Sequence, residues 1–177
     1  MTTPATTDGG GSASDSGSAR VRSRLAELGL ELPAVAAPVA AYVPAVRSGA
    51  HVHTSGQLPF VDGALPATGK VGAEVAPEGA AELAATCCLN ALAAIEALIG
   101  DLDQIQRVVK LTGFVASDPS FTGQPGVING ASELLGEVFG EAGAHARSAV
   151  GVAVLPLDAP VELELMVELA SPLAPTA

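Results

Sequence analysis

The spacing of apolar residues changes period several times along the chain, and each change marks an element. Val21, Leu25, Leu28 and Leu30 in "RVRSRLAELGLELP" predict a short amphipathic helix, closed by Gly29 and stopped by Pro33. The Ala/Pro stretch "AVAAPVAAYVPAV" has no such period and reads as an extended connector. Strands are expected near 43–46 and over 51–58, followed by the turn-prone "DGALPATGK" and a third strand at Val71. The period then becomes helical. Leu83, Cys87, Ala91, Ala94, Ile95 and Leu98 form a wide apolar stripe between Pro77, which suits a first turn, and Gly100, which suits a C-cap. "IQRVVKLTGFVA" returns to a strand, and Val127, Ile128, Ala131, Leu134, Leu135 and Val138 line a second long helix ended by Gly140. Two final runs, "ARSAVGVAVL" and "VELELMVEL", read as strands joined by the two-proline turn "LPLDAP". The order β-β-β-α-β-α-β-β predicts an α+β fold, with a mixed six-stranded sheet and two helices on one face.

The last two runs place charge where a sheet makes it expensive. Alternation puts Val161, Leu163, Leu165, Val167 and Leu169 on one face, and Glu162, Glu164, Met166 and Glu168 on the other. Arg147, Ala149, Gly151 and Ala153 likewise share a face. The small residues leave space beside the guanidinium. We expect them on the non-helix face with Glu162, so that Arg147 stands near a carboxylate. Two readings are open: a pocket in which the guanidinium binds a planar anion bidentately, or an ordinary surface ion pair of little energetic weight. "HTSGQLP" is the other irregular segment. Its Ser55-Gly56-Gln57 interrupts a strand, which marks either close backbone approach by a ligand or partner, or a bulge or strand end.

Composition narrows the function classes. The 177 residues carry a net charge of −11, no Trp, one Tyr (Tyr42) and four Phe. A phosphate backbone would be repelled by that field, and aromatic platforms for bases are scarce. From Pro33 onward the fixed cations are Arg47, Lys70, Arg107, Lys110 and Arg147, scattered rather than clustered. No nucleic-acid partner is expected. No window reads as a transmembrane helix and no signal peptide is apparent, so we expect a cytoplasmic protein without a membrane partner. Cys87 and Cys88 are adjacent in the first long helix and read as reduced, buried thiols. His51 and His53 fit the polar face of a strand and His145 a distant loop, so no metal site is expected.

The chain divides into a disordered Thr/Ser/Gly/Asp tail over 1–18, a short helix and linker over 19–33, the main domain over 34–171 and a flexible end over 172–177.

"TSGQLP", "GFVAS…FTGQPGVING", "HARSAVGVAVLP" and "VELELMVEL" together resemble the reactive intermediate deaminase (Rid, or YjgF) family, whose older label is endoribonuclease L-PSP. The likeness runs from about Tyr42 to Leu169, and the "RLAELGL" helix resembles that of a distinct subgroup with an extra N-terminal helix. The resemblance implies a chorismate-mutase-like homotrimer with sites in the clefts between subunits. It implies hydrolysis of enamine/imine intermediates, of the 2-aminoacrylate or 2-iminobutanoate type, to 2-keto acids and ammonia, without a cofactor. By position it implies Arg147 as the clamp on the substrate carboxylate, and Glu162 as the acid that positions or activates water. It further implies that Tyr42, Ser55, Gly56 and Asn129 line the pocket, with Tyr42 as a catalytic residue that donates toward the departing nitrogen, or else simply as a wall of the site. Ala149 stands where the founding type commonly has Cys, which keeps the backbone groups and removes the thiol. The alternatives are a non-catalytic trimer of the same fold that binds or senses a small carboxylate, and a ribonuclease, which the composition disfavours.

Overall fold

The computed structural model describes residues 20–35 and 41–170. The expectations for the tail at 1–18 and the end at 172–177 lie outside the described residues. In chain order the elements are α1 (Arg20–Glu27), β1 (Ala45–Ser48), β2 (His51–Thr54), α2 (Pro77–Ile99), β3 (Ile105–Ala116), α3 (Gln124–Phe139), β4 (Ala146–Val152) and β5 (Val161–Leu169). The sheet order is β1-β2-β5-β3-β4. The β3–β4 pair is parallel and the other pairs are antiparallel, which leaves β4 as one edge and β1 as the other.

The helices form where the apolar period demands. α2 starts on Pro77 and stops at Gly100, whose φ of 84° suits a residue without a Cβ and whose N–H donates to Glu96 O. By length and composition α2 is apolar enough to cross a membrane, but half of its most apolar window is buried within this fold, as in a core helix. α2 and α3 lie side by side on one face of the sheet, with α2 against β5 and α3 against β3 and β4. They approach so closely that a Cβ on Gly130 would collide with the carbonyl of Ala81. α1 adds Val21 and Leu25 to the same core. Its start is capped by Asp103, whose carboxylate accepts the N–H groups of Arg20 and Val21 at 2.9 Å each.

Cys87 and Cys88 are both fully buried. Burial pushes the Cys88 thiol up to about 12 and raises that of Cys87 as well, as expected of inert core thiols.

Two expectations need correction. The sheet has five strands, not six: the segment at Val71 contributes isolated bridges to Val75 and Ser117. It is folded into a turn between Gly69 at φ 106° and Gly72 at φ 90°, conformations that break strand geometry. The second correction concerns faces. Across the parallel pair Arg147 registers with Leu111, Ala149 with Gly113 and Gly151 with Val115. Leu111 registers in turn with Leu165, a core residue. Arg147, Ala149 and Gly151 therefore face the helices. Glu162 registers with Phe114 and lies on the opposite face. Parity within each strand is as the sequence implies; the phase between strands depends on register across β3.

Candidate functional site

Arg147 sits one residue inside the β4 edge and reaches α3. Asn129 and Ser132, one helical turn apart, stand on the same side of that helix. Arg147 Nη1 donates to Asn129 Oδ1 at 2.8 Å and to Ser132 Oγ at 3.1 Å. Its Nε and Nη2 make no hydrogen bond or ion pair among the described residues. One corner of the guanidinium is thus anchored, while the edge that binds a carboxylate in two parallel hydrogen bonds is left open. Beside it lies a depression of about 380 Å³ lined by Ser132, Gly136, Gly140, Gly143, Ala144, His145 and Arg147. Its wall is mostly glycine and alanine. The open space expected from Ala149, Gly151 and Ala153 is supplied instead by these glycines.

His145 completes the cluster. Its Nδ1 lies 2.6 Å from Gly143 O and its Nε2 3.0 Å from Ser132 Oγ. Ser132 is not among the residues expected at the site, and His145 is expected only as a loop histidine without a metal. The available signal was their spacing: Asn129-x-x-Ser132 on a helix, and His145-x-Arg147 entering a strand.

The remaining site residues cluster elsewhere. β2 pairs with β5 through His53–Met166, after which Thr54 Oγ1 accepts the N–H of Leu165 at 2.9 Å. Pairing resumes at Gln57–Leu163. Ser55 and Gly56 are thereby bulged out, so the irregular segment is a bulge and also a place of close approach: a Cβ on Gly56 would collide with Glu162 Oε1. Ser55 Oγ donates to Val43 O at 2.7 Å and Ser55 N to Pro44 O at 2.9 Å, which brings the backbone beside Tyr42 to the bulge. Tyr42 itself is exposed. Glu162 is half-buried and makes no hydrogen bond among the described residues. Desolvation first, and then the charge of Glu164, raise its pKa above the ordinary carboxylate range. His51 and His53 lie on this same non-helix face, opposite Glu168 and Met166.

Within one chain, then, Arg147 and Asn129 are together, with Ala149 two residues along the strand. Tyr42, Ser55, Gly56 and Glu162 form a second group, on the other side of β3 and, for Glu162, on the other face.

A family model described as "YjgF/chorismate_mutase-like, putative endoribonuclease" matches residues 22–169. The Trypanosoma cruzi protein TCP17 is 50% identical over 153 residues, which is 86% of this chain and 96% of TCP17. The crystal structure of the protein Atu1372 from Agrobacterium tumefaciens, of unknown function, superposes with a TM-score of 0.80 at 48% identity, covering 86% of this chain and 94% of that one. A more distant structure, E. coli TdcF with bound serine, gives a TM-score of 0.50 at 28% identity over 76% of this chain and 92% of the other.

Proposed function

The chain belongs to the YjgF/chorismate mutase-like family, and on that premise we propose that it is a hydrolytic deaminase of small 2-imino acids. The observation that carries this reading is the anchored Arg147 with its open bidentate edge. The likeness to TdcF, solved with serine, supports a ligand that carries an α-carboxylate.

In the reaction, Arg147 holds the carboxylate of the 2-imino acid. Water adds to the imine carbon, nitrogen takes up protons, and ammonia leaves a 2-keto acid. The equation balances with water alone. Glu162, whose raised pKa suits a group that both accepts and returns a proton, is the acid/base residue. Because it lies on the far face of its own sheet from Arg147, it serves the Arg147 of a neighbouring copy. The assembly we propose is a homotrimer, with the Arg147–Asn129 half of each site on one copy and the Tyr42–Ser55–Gly56–Glu162 half on the next. The mixed non-helix face, where half-buried Phe114 and Met166 sit among glutamates, suits an interface better than solvent. Light scattering should give about three times the chain mass.

The separation of Glu162 from Arg147 within the chain also favours a second reading, a carboxylate-binding or regulatory trimer without turnover. Release of ammonia and keto acid from imino acids generated in place by a serine or threonine dehydratase separates the two. Deamination predicts faster release than in buffer; a binding module predicts no acceleration, with keto acid still bound.

A further inference from the structure

The geometry points to Ser132 as a nucleophile activated by His145, and to a second, acyl-transfer chemistry at the Arg147 edge. The proton positions follow from the partners. Gly143 O can only accept, so His145 Nδ1 carries the hydrogen of the neutral ring and Nε2 presents a lone pair. Ser132 therefore donates its hydroxyl hydrogen to Nε2 across 3.0 Å. The same oxygen accepts from Arg147 Nη1 at 3.1 Å. The hydroxyl proton is aimed at a base, the base is oriented by a backbone carbonyl, and the oxygen faces a fixed cation that favours developing negative charge. Other serine hydroxyls differ: those of Ser55 and Ser117 donate to backbone carbonyls and that of Ser120 to a carboxylate.

Access is available. Ser132 and His145 are half-buried and open on the 380 Å³ depression, where Gly136, one turn beyond Ser132, has no side chain to cover it. The substrate class is set by the neighbouring charge: an activated ester or thioester of a short acyl group that ends in a carboxylate, such as a half-ester of a small dicarboxylic acid. The carboxylate takes Nε and Nη2 of Arg147. Ser132 Oγ attacks the acyl carbon and forms the new C–O bond as its proton passes to His145 Nε2. The bond to the leaving alcohol or thiol breaks, and that group takes the proton from His145. Water, activated by the same imidazole, then releases the acyl group as a second carboxylate and restores Ser132. Imine hydrolysis needs no acyl-serine, so this chemistry stands whether or not the deaminase reading holds.

The test uses the full chain and a fluorophosphonate, which loses fluoride as it bonds to an activated serine oxygen. Intact-mass spectrometry with peptide mapping should find one adduct, on Ser132, absent in Ser132→Ala. His145→Gln, which retains hydrogen-bonding capacity without a base, should slow labelling by about a hundredfold while circular dichroism and melting show a folded protein. p-Nitrophenyl hemisuccinate should be cleaved faster than p-nitrophenyl acetate, and Arg147→Ala should reduce that preference by about tenfold or more. Absence of an adduct on the folded wild-type chain, an adduct on another serine, or equal labelling in His145→Gln overturns the nucleophile. Equal cleavage of the two esters overturns the carboxylate-bearing substrate class.

Discussion

The α3–β4 edge and the β2–β5 bulge hold the two halves of the candidate site, and they are built on opposite terms. At the edge each polar side chain has partners within the chain: Arg147 on Asn129 and Ser132, Ser132 on His145, His145 on Gly143. Such a cluster is organised before any ligand arrives, and binding pays little to fix it. At the bulge, Glu162 is held over Gly56 with its carboxylate partly desolvated, beside Glu164, and without a hydrogen-bond donor among the described residues. The first region is held in place by its own chain, with the Nε–Nη2 edge of Arg147 left for a ligand; the second holds a carboxylate to which the described residues supply no donor. That difference is what the proposed trimer would use, with a pre-organised anion clamp from one copy and the Glu162 carboxylate from the next.

The largest effect should come from the clamp. Arg147→Ala removes two charge-assisted hydrogen bonds to the substrate carboxylate, a loss of about 3 kcal/mol when the two are not fully additive. That is about a hundredfold in kcat/KM on imino acids. Arg147→Lys keeps the charge but not the planar fork and should remain badly impaired. Full turnover by an assembled Arg147→Ala protein would remove the clamp from the comparison altogether. The division between copies is tested next by mixing. Arg147→Ala and Glu162→Gln proteins, each inactive alone, should regain about a quarter of wild-type activity when dissociated and reassembled together, because random assortment gives one interface in four both intact halves. No recovery in verified mixed assemblies would place both halves' roles within one chain, against the geometry.

Much of this was legible in the sequence, and the exceptions have a common cause. The stripes of α2 and α3 and the alternation of β5 are local patterns, and the structure follows them except at Leu98 in the last turn of α2, which is exposed. Arg147 and Asn129, drawn from separate motifs, do meet. The errors arose where a local pattern had to be placed relative to a distant one. Alternation puts Arg147, Ala149 and Gly151 together, but their side of the sheet is set by register through β3. Val71 has strand-forming chemistry, yet the left-handed glycines at 69 and 72 turn the backbone away. The Ser132–His145 bond joins residues 13 apart through the end of a helix and a turn, a contact that no periodicity announces.

Gly56→Ala sharpens the bulge half. The new Cβ would meet the far end of a flexible glutamate side chain rather than backbone, so Glu162 can rotate aside at small cost in stability. If Glu162 is the acid/base group, that rotation misplaces it, and kcat should fall on the order of tenfold or more with the melting temperature nearly unchanged. A large loss of melting temperature with normal kcat would show that the close approach serves packing instead.

The smallest effect, and the one that bears directly on the unsatisfied charge, is the pH dependence of Glu162→Gln stability. The folded-state pKa of Glu162 is raised by desolvation and by Glu164, while the unfolded chain titrates in the ordinary carboxylate range. Below that range both states are protonated and the side chain imposes no electrostatic cost. As pH rises the unfolded state loses its proton first, which favours unfolding, and the cost is complete once pH exceeds the raised folded value. Glutamine never ionises, so Glu162→Gln should melt with wild type in acid and above it near neutral pH, with the gap opening upward from the ordinary carboxylate range. Half-exposure and solvent screening keep the gap small. The sign depends on the partner: where a neighbouring copy supplies donors to the carboxylate, the gain shrinks or reverses in the assembled protein. Melting followed against pH at concentrations above and below dissociation therefore separates a charge left unsatisfied from one completed across the interface. A Glu162→Gln protein less stable than wild type even when dissociated would show that the chain does satisfy Glu162, and the contrast between edge and bulge would fail.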